Sequence, residues 1–87
     1  MERRETLAAY HDAKAEFERA ASLFTAAAAR FNAARNSANP PLAPLILGVE
    51  LARRRLLRDS RRLYEATFRL TQGRPLNEVL CSLSDDV

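Results

Sequence analysis

The sequence predicts an all-α protein: an antiparallel two-helix hairpin with a heptad seam, plus a short C-terminal third helix. Three observations carry this reading. Two long segments each repeat an apolar residue every seven positions, a short proline-containing link joins them, and a third apolar stripe follows Gly73.

In the first segment the repeat is Tyr10, Phe17, Phe24 and Phe31, with Ala13, Ala20, Ala27 and Ala34 three places after each. This is an a/d pattern with aromatic knobs at a and the smallest side chain at d. The intervening residues are rich in Ala, Glu and Arg, which favour helix, and the predicted span is about 5–36. The loop, about 37–43, contains Ser37, Asn39 and the pair Pro40–Pro41; two prolines cannot sit inside a helix, and Asn and Ser favour turns. Pro44 is tolerated in a first turn, so helix two is expected over about 44–72, where Gly73 can end it. Its seam is Leu42, Val49, Leu56, Leu63 and Leu70, with Leu45, Ala52, Asp59 and Ala66 at the d places.

A short link makes the helices antiparallel neighbours. Matching the two seams across it places Phe31 near Val49, Phe24 near Leu56, Phe17 near Leu63 and Tyr10 near Leu70. Beyond Arg74–Pro75, Leu76, Val79, Leu80 and Leu83 share one face of a short helix over about 75–83, with a frayed tail at 84–87. Residues 1–87 form a single domain, one that is marginal unless a partner adds to its core.

Composition narrows the function. Cys81 is the sole cysteine, which excludes an internal disulfide and fits a reducing compartment. Neither it nor His11 has clustered companions, so no metal or other cofactor is expected; Cys81 reads as a small core residue and His11 as a solvated one. No segment has the apolar length of a membrane span, and the charged start lacks a secretory leader, so the expected location is the cytoplasm. Thirteen of the fourteen basic residues are arginine, and with abundant alanine this is the usage of a GC-rich bacterial or viral genome.

What remains are the surfaces outside the seam. Leu47, Leu51, Leu57, Tyr64 and Phe68 fall on the far side of helix two, giving it a second apolar face. The C-terminal helix can fold back over part of it, but a helix of ~13 Å cannot cover one of ~40 Å. An apolar face left open on a small protein marks a partner, in a hetero-complex or a homodimer. Arg53, Arg54, Arg55 and Arg58 form a basic patch that the seam matching sets opposite the acid-free stretch from Ser22 to Ala29. Arg61, Arg62 and Arg69 instead come close to Asp12, Glu16 and Glu18. An uncompensated cluster of four arginines could meet phosphates or an acidic protein face. Asp59 occupies a seam position; it is expected at the seam edge, paired with Arg55 or Arg62, and could set the register. Gly48 reads as a packing notch near Phe31.

No cleft with convergent polar groups is in prospect, so neither catalysis nor a small-molecule substrate is expected. The chain reads as a protein-interaction module that binds a partner through the outer face of helix two. The alternative is a helical dimer that binds nucleic acid through the arginine patch. In length, helix count and apolar second helix, the chain resembles the small hairpin co-chaperones of type III secretion needle subunits. The likeness is architectural and involves no shared residue motif; it implies a larger helical-repeat chaperone as partner. Small helical phage or virus proteins share the same features.

Overall fold

A computed structural model describes the backbone of residues 2–85 and the side chains of residues 4–82. It contains α1 (Glu2–Arg35), α2 (Leu42–Thr71) and α3 (Leu76–Asp85). The long helices α1 and α2 pack against each other as the predicted hairpin, and among the described residues α3 packs on α2 alone.

The boundaries follow local chemistry. At the end of α1 the Ser37 backbone N–H and hydroxyl both donate to the Ala34 carbonyl, and the Asn36 amide donates to that of Asn32. Those bonds satisfy carbonyls the helix leaves open. α2 begins at Leu42, two residues earlier than expected, so Pro44 falls within its first turn, where a missing N–H costs nothing. It ends at Thr71, where Gln72 turns left-handed (φ 51°) and its N–H bonds to the Phe68 carbonyl. Gly73 follows at φ 85°, a conformation that glycine adopts without strain. α1 and α3 are both longer than the sequence suggested. α1 starts at Glu2, and α3 continues through the expected frayed tail as far as Asp85; Asp86 and Val87 lie outside the described residues. The Leu83 side chain, expected on the apolar stripe of α3, is likewise outside them.

The register differs from the one the seam matching gave. Glu16 of α1 lies 3.8 Å from Arg55 of α2, and Thr6, Ala9 and Ala13 share one groove with Arg62, Ala66 and Arg69. In the expected register Glu16 would stand level with Tyr64, roughly 13 Å along the axis from Arg55 and out of its reach. The observed contacts fit a register displaced by one heptad. It brings Tyr10 level with Leu63, Phe17 with Leu56, Phe24 with Val49 and Phe31 with Leu42. Both seams stay in phase after such a slip, because a period of seven is unchanged by a shift of seven. The start of α2 at Leu42 supplies the layer opposite Phe31, and the open ends of α1 and α2 finish flush.

The core is thin. Among the described residues only Tyr10, Ala20 and Ala66 are buried apolar side chains, and Phe17, Phe24 and Phe31 are half-buried. Ala20 is wholly inaccessible, as a small residue between closely approaching backbones should be. The molecule is a rod of 59 × 18 × 18 Å with a radius of gyration of 17.9 Å. A compact chain of this length would have one of about 12 Å.

Candidate interaction surface

The second apolar face of α2 is open. Leu47, Leu51, Leu57, Tyr64 and Phe68 are all exposed, Tyr64 at 73 %, and Ile46 joins them. α3 stays at the far end of α2 and does not cover this face. The sequence reading omitted Ile46, although its spacing of eleven residues before Leu57 would have placed it on the same side. The exposed rows follow from helix geometry: Ile46, Leu57, Tyr64 and Phe68 run along one flank, and Leu47 and Leu51 lie farther round.

The basic patch is largely neutralised. Glu50 holds Arg53 through two hydrogen bonds of 2.6 and 3.1 Å and stands 3.5 Å from Arg54. Arg53 bonded to it keeps the Glu50 carboxyl below its ordinary range, and Glu50 in turn raises Arg53. Arg55 reaches Glu16 and Asp59, each at 3.8 Å, and Arg58 donates to Asp59 at 3.4 Å. All four arginines therefore have an acidic partner, contrary to the uncompensated cluster expected from the sequence. The difference has two causes: Glu50, one turn before the patch on α2 itself, supplies a carboxylate to Arg53 and Arg54, and the heptad slip sets Glu16 next to Arg55. Arg61, Arg62 and Arg69 do not reach the expected Asp12, Glu16 or Glu18 and make no ion pair among the described residues.

Asp59 is not at the seam edge. At 1 % exposure it is the most buried large side chain described, and its companions are Arg55 and Arg58 rather than Arg62. Its Oδ2 and the Arg55 Nε are buried without a hydrogen bond, 3.8 Å from each other. Gly48 faces open space, so it is not the packing notch the sequence suggested; a Cβ there would meet nothing within 4 Å. Cys81 is exposed rather than part of a core, and His11 is solvent-facing with its ring 5.4 Å from that of Tyr10.

On the flank opposite Tyr64 is a shallow groove of about 420 Å³ between α1 and α2, lined by Glu5, Thr6, Ala9, Ala13, Arg62, Glu65, Ala66 and Arg69. Among the described residues no three His, Cys, Asp or Glu side chains converge as metal ligands would. No described helix is long and apolar enough to cross a membrane. No family model matches the chain, and neither the curated proteins nor the solved structures include a significant match.

Proposed function

We propose that this protein is a non-enzymatic interaction module that binds a partner chain through the outer face of α2. The observation that carries this is the exposed row Leu47, Leu51, Leu57, Tyr64 and Phe68 on a hairpin that buries so little of its own. The chain exposes 6742 Å², whereas a compact monomer of its mass would expose about 5,200 Å². Tyr64 and Phe68 are the residue types that anchor such contacts. A small adaptor, chaperone or assembly subunit working in the cytoplasm fits this arrangement, and pairing with a larger helical chaperone is one concrete form of it. Nucleic acid is the weaker reading, since Glu16, Glu50 and Asp59 offset the arginines that would have met phosphate.

The test compares wild type with Tyr64→Asp by light scattering and by capture from the native host. Tyr64→Asp should leave the hairpin folded and abolish its complex, because a carboxylate in place of the phenol loses its hydration inside an apolar contact. A wild-type chain that is monomeric, stable alone, and captures nothing that the variant loses would refute the module.

A further inference from the structure

We propose that the partner is a second copy of this chain, packed antiparallel along α2 with a two-fold axis at Leu57. This rests on the interaction-module reading and names its occupant.

Ile46, Leu57 and Phe68 are all exposed and are spaced by eleven residues on either side of Leu57. Eleven residues make three helical turns almost without drift, so the three side chains form one straight row, about 33 Å long. Its two apolar ends stand at equal distances on either side of an apolar centre. An antiparallel copy turned about Leu57 sets Ile46 against Phe68 of the other copy, Phe68 against its Ile46, and Leu57 against Leu57. Self-complementarity of this kind is what a two-fold contact demands, whereas a different partner would impose no symmetry on the row.

The polar residues of the flank obey the same symmetry. Glu50 comes level with Tyr64 of the second copy, whose phenol can donate to the carboxylate. Arg53 and Arg61 of opposite copies also come level. Arg53 is already held by Glu50, and Arg61, which makes no ion pair among the described residues, gains the same carboxylate as a neighbour one turn from Tyr64. Glu50 is the one acid on this flank between Ile46 and Phe68, and it falls where two arginines need it. The area is also sufficient. The excess exposed surface, about 1,600 Å², is roughly twice the ~800 Å² that each partner gives to an interface of standard size.

The experiment uses the full chain carrying Cys81→Ser, which removes the one exposed native thiol. Light scattering should give twice the 9.8 kDa chain mass at concentrations well above micromolar. Under mild oxidation Leu57→Cys should cross-link rapidly to itself, and Leu51→Cys, on the other side of α2, should not. Ile46→Cys mixed with Phe68→Cys should give the mixed dimer in preference to either self-linked product. Leu57→Glu, which brings two carboxylates together at the axis, should weaken dimerisation by about a hundred-fold or more. A dimer that cross-links as readily through Leu51→Cys, or in which Ile46→Cys links mainly to itself, would overturn the antiparallel axis. A monomer whose capture of a host protein depends on Tyr64 would overturn the second copy and leave the interaction module intact. A monomer that captures nothing would overturn both.

Discussion

Asp59 is the residue where this sequence departs most from its own pattern. The neighbouring d places hold Ala52 and Ala66, and Ala in the same position would continue the seam. A buried carboxylate with an unbonded oxygen costs free energy that the long contacts to Arg55 and Arg58 do not fully return. Asp59→Ala should therefore stabilise the hairpin by about 1–2 kcal/mol, read from the urea midpoint. A loss of more than about 1 kcal/mol would show that the cluster is a net stabiliser. Gly48 offers a simpler test. It lies inside a helix with open space around it, so Gly48→Ala should add about 0.5–1 kcal/mol with no change in structure. Glu50 contributes through its charge. Because Arg53 lowers its pKa from the ordinary 4.5, its stabilising pairing is complete above that pH and is lost as pH falls below it. The group is at the surface, with its side chain 38 % exposed, so the effect on stability is small.

At the scale of the elements, the helices were legible because their signals are local. Tyr10, Phe17, Phe24 and Phe31 fix the buried face of α1, and Pro40–Pro41 and Gly73 bound α2. The open face of α2 was legible for the same reason, since Leu57, Tyr64 and Phe68 oppose the seam on any helical wheel. The register was not legible, because a heptad seam gives the same apolar match at two settings seven residues apart. The difference rests on side-chain reach between helices, such as Glu16 to Arg55, and the arginine patch was misjudged along with it. The registers separate experimentally. With Cys81→Ser as background, cysteines at Phe17 and Leu56 should form an intrachain disulfide readily. Cysteines at Phe24 and Leu56 should not, being about 10 Å apart along the axis. The reverse preference would restore the setting expected from sequence. Tyr10 and Phe24 provide a second check: Tyr10→Ala should cost about 3–5 kcal/mol and Phe24→Ala clearly less, since only Tyr10 is buried.

For the whole molecule, the rod shape ties stability to association. A chain with so few buried apolar residues should unfold at a denaturant midpoint that rises with protein concentration, as coupled folding and assembly require. Removing residues 74 to 87 should be mild, because α3 touches only the end of α2 and leaves Leu57, Tyr64 and Phe68 uncovered. Aggregation of that truncated chain would instead mean that α3 shields the face in solution. The position of the buried residues along the rod has a further consequence, for how the chain folds. The fully buried side chains, Tyr10, Ala20, Asp59, Ala66 and Thr71, lie from the middle of the rod to its open end, while of the seam residues nearest the turn Phe31, Leu45 and Val49 are half-buried and Leu42 is exposed. A hairpin usually zips from its turn, but here the turn offers little to hold it closed. Joining the levels of Ala13 and Asp59 first closes a loop of roughly 45 residues, about 2 kcal/mol dearer in chain entropy than closing the turn alone. Stopped-flow refolding should accordingly slow on Ala20→Gly or Ala66→Gly and barely respond to Leu45→Ala. Glycines inserted between Ser37 and Asn39 should leave the rate almost unchanged, because lengthening a loop that is already long costs little.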